Sequence, residues 1–242
     1  MRSISTRPLL IFAALLALHG PALGQYDDGV SAIQTANYAG ALEAWQKCPD
    51  EPRCQYSIGY LYHFGLGVPA DFGKATEFYG KAAAGHYPDA LYALGLLTET
   101  GKTGRKDLTE AMRLYREAAE TGASPDAEYA VGRMVLRGRG VERNPVEALK
   151  WLRRAADHGQ VAAQYMMGAA YEAGWGVTPD LGEAYYWYRR SQQGDPVELA
   201  DHDMSFQPQI AIDSLKRRLS SGEIHAIEAR LKKPAAARKK AD

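Results

Sequence analysis

A unit of 36 or 37 residues recurs four times in this chain, and this repeat constrains the fold more than any other sequence feature. Each copy carries a glycine after an apolar residue, and an alanine follows sixteen positions later. The pairs are Gly59 and Ala75, Gly95 and Ala111, Gly132 and Ala148, and Gly168 and Ala184. A period of this length, with two helical stretches in each copy, is typical of a helical solenoid. The repeat therefore predicts an all-α fold with an extended binding surface.

Each copy is predicted to form two helices joined by a turn. In the first helix, apolar residues at positions −5, −1 and +2 from the glycine follow helical spacing and predict one packing face. A glycine inside a helix costs roughly 1 kcal/mol relative to alanine, so we expect its missing Cβ to let the backbone of a neighbouring helix approach closely. Glycine-rich turns such as Gly65–Val68 end the first helix, and N-cap residues start the second. These N-cap residues are Asp71, Asp107, Asn144 and Asp180.

The combined pattern A-x-Y-x-L-G, G-x-G-V, D-x-x-x-A and K-A-A resembles the Sel-one-like repeat, a subclass of the tetratricopeptide-type helical repeats. The resemblance covers about residues 53–194, and residues 27–52 more loosely. It implies a right-handed α/α superhelical solenoid of about four to five helix hairpins, with a C-terminal helical cap. It also implies that the chain acts as an adaptor or partner for other proteins.

Changes in composition divide the chain into six predicted segments. Apolar spacing near the C-terminus predicts one or two helices that cover the last repeat, as the end of a solenoid requires, and Ser220 with Glu223 forms a predicted capping box. In chain order the segments are a signal peptide over 1–24, an N-terminal capping hairpin over 25–52, four repeats over 53–194, a linker over 195–209, a helical cap over 210–231 and a basic, disordered tail over 232–242.

The N-terminus has the features of a secretory signal peptide. A basic start precedes an apolar run from Leu9 to Leu18, and the small residues Ala22 and Gly24 follow. This order predicts cleavage after Gly24. The run is shorter than the roughly 20 residues that a transmembrane helix needs, so an uncleaved membrane anchor is the weaker alternative. We therefore expect export to a bacterial periplasm.

The chain contains two cysteines, Cys48 and Cys54, at positions that the other copies fill with alanine. In an oxidising compartment such a pair is well placed to form a disulfide. In a cysteine-rich branch of the Sel-one-like family, disulfides lie close to the junction between the second helix of one copy and the first helix of the next. The resemblance therefore implies a covalent staple here. The alternative is a pair of reduced packing residues. The spacing does not indicate a redox or metal site.

Charge is distributed unevenly along a chain that is neutral overall. Residues 25–215 contain 18 basic and 26 acidic residues, whereas residues 216–242 contain nine basic and three acidic residues. The acidic repeats argue against nucleic acid as a partner. The basic tail permits a weak contact with an anionic surface, although a solvated tail is the simpler interpretation.

The sequence contains no motif for catalysis or metal binding that we recognise. Its histidines lack metal-ligand spacing, and no P-loop, G-x-S-x-G or S-x-x-K motif occurs. We therefore predict no cofactor, no metal and no enzymatic activity. A tyrosine three residues before each repeat glycine could be taken for a stacking platform, but its recurrence favours core packing. These tyrosines are Tyr56, Tyr92, Tyr129 and Tyr165.

Candidate partner-binding residues lie at positions +1 and +5 of the first helix, which vary between copies. The resemblance places this helix on the concave side of the solenoid. Tyr60 and Phe64 in the first copy and Arg133 and Arg137 in the third are the candidates, because aromatic and arginine side chains dominate interface hot spots. Ordinary surface, or contact with the terminal segment, is the alternative.

These observations predict a non-enzymatic periplasmic adaptor or scaffold that binds another protein or a peptide through its concave face. A different hypothesis is that the protein is an enzyme that binds or hydrolyses cell-wall fragments or β-lactams. This hypothesis rests on the resemblance of the chain to the cysteine-rich secreted members of the family. The sequence lacks the serine motif and the zinc ligands that this chemistry uses. The interaction hypothesis is therefore favoured.

Overall fold

The computed structural model describes residues 21–102, 104–122, 124–195, 199, 203 and 205–232. These ranges contain helices and no strand, so the predicted all-α class is confirmed. The helices are α1 (Pro21–Gln34), α2 (Tyr38–Gln46), α3 (Pro52–Phe64), α4 (Phe72–Ala84), α5 (Pro88–Thr100), α6 (Leu108–Thr121), α7 (Pro125–Arg137), α8 (Pro145–Asp157), α9 (Val161–Ala173), α10 (Leu181–Gln192), α11 (Pro208–Lys216) and α12 (Ser221–Leu231).

The helices pair into hairpins, as the repeat predicts. The four copies correspond to α3 with α4, α5 with α6, α7 with α8, and α9 with α10. The chain divides into two compact units, of which unit 1 extends to Thr121 and unit 2 begins at Gly122. Along the chain, unit 1 therefore contains the α1–α2 hairpin followed by the first two copies, and unit 2 contains the last two copies followed by α11 and α12. Within the described ranges, no helix combines the length and apolarity needed to cross a membrane.

The repeat glycines lie where the two helices of each hairpin meet. A Cβ added to Gly59 would lie 2.7 Å from the ring of Tyr79, and one on Gly95 would lie 2.6 Å from Tyr115. The same construction gives 2.8 Å from Gly132 to Leu152 and 2.7 Å from Gly168 to Tyr188. These distances are shorter than carbon atoms tolerate, so the two helices do meet closely at each glycine. The nearest group is a side chain, a tyrosine ring or Leu152, rather than the backbone that the sequence analysis predicts.

The predicted N-caps are also confirmed. Asp71 accepts a hydrogen bond from the Lys74 amide at 2.9 Å, and Asn144 accepts one from Glu147 at 3.0 Å. Asp107 and Asp180 make equivalent bonds at the starts of α6 and α10. Each side chain satisfies a backbone N–H that has no partner within its helix.

The N-terminal hairpin of unit 1 is held to the first repeat by packing and by a covalent bond. The Trp45 indole N–H donates to the Tyr26 carbonyl at 3.2 Å, and both residues lie in the core that α1, α2 and α3 share. Cys48 and Cys54 form a disulfide with their Cα atoms 6.1 Å apart, which confirms the predicted staple between α2 and α3. Helix α1 begins at Pro21 and continues through Gly24. The remainder of the expected signal peptide, residues 1–20, lies outside the described residues.

Helices α11 and α12 pack on the last hairpin of unit 2. Ile212 and Leu215 of α11 are fully buried beside residues of α10. Arg189 of α10 pairs with Glu228 of α12 at 2.7 Å. The predicted capping box at the start of α12 is confirmed, since Ser220 and Glu223 bond each other's backbone N–H groups. Of the predicted basic tail, residues 233–242 lie outside the described residues.

Candidate functional site

The candidate binding residues belong to a stripe on the first helix of each copy. Positions −3, +1 and +5 from the repeat glycine are four residues apart, so they share one helix face. We call this set the first-helix stripe. Its members are Tyr56, Tyr60 and Phe64 on α3; Tyr92, Leu96 and Thr100 on α5; Tyr129, Arg133 and Arg137 on α7; and Tyr165, Ala169 and Ala173 on α9.

In unit 1 the stripe on α3 is a continuous row of aromatic rings. The Tyr60 ring centroid lies 6.4 Å from that of Tyr56 and 4.4 Å from that of Phe64. Phe64 is 51% exposed, and Tyr60 is half-buried. Burial, followed by the nearby Tyr38, raises the pKa of Tyr60 to about 12, so its hydroxyl is neutral at physiological pH. The structure thus brings these two candidates together on one accessible surface.

Beneath this row lies a buried polar contact. The Tyr79 hydroxyl is 3.3 Å from His63 Nδ1, and the Tyr79 ring contacts Tyr56 with centroids 5.5 Å apart. Burial, and to a smaller extent the positive charge of Lys102, lowers the pKa of His63 to about 4. The imidazole is therefore neutral at pH 7, and it supports Tyr79 without bringing charge into the hairpin.

The stripe tyrosines pack on the second helix of their own hairpin. Tyr56, Tyr92 and Tyr165 each contact the tyrosine that covers the repeat glycine, at centroid distances of 5.5, 5.6 and 5.1 Å. Tyr129 is 5% exposed. The other three are half-buried, so each combines a packing contact with an accessible edge.

In unit 2 the stripe on α7 carries arginines instead of aromatic rings. Arg133 is half-buried and Arg137 is exposed. Burial raises the pKa of Tyr129, and the positive charges of Arg133 and Arg137 oppose that rise. Both guanidinium groups therefore lie near the Tyr129 hydroxyl. The structure groups these two candidates on a basic surface that lies in a different unit from Tyr60 and Phe64.

The unit 2 stripe is contacted by residues that follow α10. The Phe206 ring stacks on Tyr165 with centroids 4.4 Å apart and planes inclined by 20°. The backbone of Gln207 hydrogen-bonds to the Tyr165 hydroxyl. The Asp203 carboxylate interacts with Arg137, and hydrogen bonds from Ser205 are the main cause of its lowered pKa. The segment that the sequence analysis treats as a linker thus lies on the stripe of α7 and α9.

A recurring polar pair escaped the sequence analysis. Tyr115 donates to Glu99 at 2.9 Å and Tyr188 donates to Glu172 at 3.0 Å, in the same repeat positions as Tyr79 and His63. The third copy has two leucines at these positions. The signal was present in the sequence, because a tyrosine at position +20 always accompanies an ionisable residue at position +4.

A buried carboxylate in unit 2 was also missed. Glu128 is fully buried, and its two oxygens lie 2.5 Å from Arg154 Nε and 2.8 Å from His158 Nδ1. Both partners come from α8 or its C-terminal cap. A buried carboxylate needs such partners, because desolvation without compensation is costly. These contacts tie the third copy's two helices together.

Unit 1 also has a shallow groove between α4, α5 and α6, with a volume of about 450 Å³. Leu91, Leu94 and Leu114 contribute to its apolar lining. Arg113 on its edge pairs with Glu110 and Glu117 at 2.7 and 2.8 Å. Across the described ranges, no group of three or more His, Cys, Asp or Glu side chains could hold a metal ion.

Comparison with protein-family models identifies the repeat. The model for the Sel1 repeat matches residues 52–87, 88–122, 125–160 and 161–191, which is more than half of the chain. These four matches coincide with the four hairpins from α3 to α10. The resemblance found in the sequence is therefore confirmed.

Solved structures lead to the same family. A Sel1 repeat protein from Oxalobacter formigenes is 35% identical, over 72% of this chain and 73% of that one, with a TM-score of 0.63. The c5321 protein, a protective antigen in uropathogenic Escherichia coli strains with an SLR fold, is 25% identical over 87% of this chain, with a TM-score of 0.72. That match spans 44% of the antigen.

A third structure, the immunity protein Pa5087 from Pseudomonas aeruginosa, is 21% identical, with coverage of 74% of this chain and 67% of that one and a TM-score of 0.51, and it shows the shared fold alone. None of the curated proteins matches this chain. Sel1 repeat proteins generally mediate protein–protein interactions, and the fold is typically a non-enzymatic scaffold. By its repeats and its relatives, this chain belongs to the Sel1 repeat family.

Proposed function

We propose that this protein is a non-enzymatic periplasmic adaptor that binds a partner protein through its first-helix stripe, with the aromatic row of α3 as the main contact. The observation that carries the proposal is the pair Tyr60 and Phe64. Their ring centroids lie 4.4 Å apart with the planes tilted by 41°, yet Phe64 remains 51% exposed. An exposed aromatic ring beside a second one offers a partner the residue type that is enriched at binding hot spots.

A partner would gain apolar contact area from the aromatic row of α3. Aromatic side chains bury a large apolar area for little loss of conformational freedom, which is why they dominate binding hot spots. Tyr60 is held between Tyr56 and Phe64, so it is already oriented before a partner arrives. Arg133 and Arg137 form a separate candidate surface of different chemistry in unit 2.

The periplasmic part of the proposal has two supports. The N-terminal sequence has the order of a signal peptide. The Cys48–Cys54 disulfide is the kind of bond that persists in oxidising compartments. Fractionation of cells that produce the full chain tests this, and mature protein that remains in the cytosol would contradict it.

Site-specific photo-cross-linking in living cells tests the binding face. A photoreactive phenylalanine analogue at position 64 should yield discrete cross-linked species. The matched control places the analogue at Val146, which is 55% exposed on α8. Tyr60→Ala should reduce the yield from position 64 by about tenfold, the loss expected for a hot-spot aromatic residue worth at least 1.4 kcal/mol. Identical species from positions 64 and 146 would overturn the proposed face.

A further inference from the structure

The first-helix stripe is covered by another segment of the chain in unit 2, whereas the α3 stripe of unit 1 has an exposed end. In unit 2, Phe206 stacks on Tyr165 and the backbone of Gln207 bonds to the hydroxyl of the same tyrosine. In unit 1, the α3 stripe ends in Phe64, which is half exposed. Tyr165 on α9 and Tyr92 on α5 occupy the same repeat position, as do Arg137 on α7 and Phe64 on α3. The contact in unit 2 therefore shows what kind of group the matching pair of helices in unit 1 accommodates.

The covering segment has the character of a short peptide ligand. Residues 203 and 205–207 are not helical, and the turn that they form is held by its own hydrogen bonds. The Phe206 N–H donates to the Asp203 carbonyl at 3.0 Å, and the Ser205 N–H donates to the Asp203 carboxylate at 2.9 Å. The turn therefore projects one aromatic ring toward α9.

We propose that the segment with Asp203 and Ser205–Gln207 is a built-in ligand of the unit 2 stripe, and that the partner presents the same chemistry, an aromatic side chain on a short non-helical segment, to the Tyr60–Phe64 surface of unit 1. This inference rests on the proposed function, because it specifies the partner of the same stripe. The aromatic ring is the shared element, since both surfaces offer tyrosine rings for stacking.

The flanking chemistry separates the two surfaces. Asp203 interacts with Arg137 in unit 2, and the equivalent stripe position on α3 is Phe64. A segment that binds unit 1 therefore gains nothing from an acidic residue at that point and gains from an apolar one. The partner's segment is aromatic and apolar rather than acidic.

Peptide binding to the full-length mature chain tests the proposal. The probe is a peptide with the sequence of residues 203–209, and its matched control has alanine in place of the phenylalanine. Binding is followed by NMR shifts of the labelled protein. We expect saturable binding that weakens about tenfold with the alanine peptide, because one stacked ring is worth on the order of 1 kcal/mol or more.

Protein variants locate the site. Tyr60→Ala with Phe64→Ala should weaken binding of the phenylalanine peptide about tenfold, whereas Val146→Ala should leave it unchanged. Phe206→Ala should uncover Tyr165 and raise the number of bound peptides from one to two. Equal binding of both peptides, unchanged binding to the Tyr60 and Phe64 variant, or an unsaturable titration would overturn the inference.

The outcomes separate this inference from the proposed function. Cross-linking at position 64 together with equal binding of both peptides would overturn only the aromatic-segment inference. Loss of position-specific cross-linking would overturn the binding face itself. Circular dichroism and hydrogen exchange of each variant show whether its helices are intact, so a folding defect is not mistaken for lost binding.

Discussion

Units 1 and 2 carry the same stripe positions but fill and cover them differently. In unit 1, α3 presents Tyr60 and an exposed Phe64. In unit 2, α7 presents arginines at the same positions, and Asp203 and Phe206 lie on the stripe. The hairpins beneath both stripes share their glycine contacts. The comparison teaches that a common frame supports two surfaces, one accessible and aromatic and one basic and contacted by its own chain.

The largest expected difference concerns position −4, which holds the ion-paired Glu128 on α7 of unit 2 and the buried Leu91 on α5 of unit 1. Arg154→Ala should lower the free energy of unfolding by about 3 kcal/mol, because it leaves a buried carboxylate poorly compensated. In a Glu128→Leu background the same change should cost less than about 1 kcal/mol, within the range of ordinary surface substitutions. Urea unfolding of the four proteins measures this coupling, and equal costs in both backgrounds would contradict it.

A smaller effect distinguishes the start of unit 1 from the rest of the chain. Reduction of Cys48–Cys54 should destabilise the α1–α2 hairpin by about 2 kcal/mol, the loop-entropy value for so short a loop. Hydrogen exchange with mass spectrometry should show faster exchange in α1 and α2 and no change in α9 and α10. The Cys48→Ala, Cys54→Ala variant serves as control and should not respond to reductant. Uniform acceleration in both units would argue against a local staple.

The smallest of the three effects depends on pH. Because His63 has a pKa of about 4 in the folded protein and about 6.5 when unfolded, the unfolded state binds the proton more tightly. The contribution of neutral His63 to the free energy of unfolding is fully present above about pH 6.5 and is lost as the pH falls toward 4. Between pH 7.5 and 5.5 the loss should be about 1 kcal/mol.

The matched measurement is the same pH titration of unfolding in His63→Gln, which keeps a polar partner for Tyr79. That variant should lose less stability between pH 7.5 and 5.5 than the wild type. His225→Gln, at an exposed position in unit 2, should follow the wild-type curve. Parallel curves for His63→Gln and the wild type would show that burial of this histidine does not set the pH dependence.

The sequence was sufficient for features that every copy repeats. The glycine at the helix crossing and the aspartate or asparagine at the N-cap occur in each copy, so four examples indicated one physical cause. The disulfide could be predicted for a related reason, since Cys48 and Cys54 replace small residues at a known junction. Local spacing and repetition were enough in these cases.

Features that occur only once were harder to predict. Glu128 and His158 are 30 residues apart in the chain, and no other copy has that pair. The stacking of Phe206 on Tyr165 joins a repeat to a segment outside the repeats, where periodicity gives no register. The sequence identified Tyr60, Phe64, Arg133 and Arg137 as stripe residues. It could not show which surface its own chain would cover, because that depends on long-range packing.

The glycine contacts have a consequence for how such a protein can change. Gly59 fixes the distance between α3 and α4 through Tyr79, and Gly132 does the same for α7 and α8 through Leu152. Since the glycine contact sets this spacing inside each hairpin, the next position of the first helix does not have to. One copy therefore carries Tyr60 where another carries Arg133. Point substitutions along the helix can thus change the chemistry of its exposed face while the spacing of the hairpin stays the same.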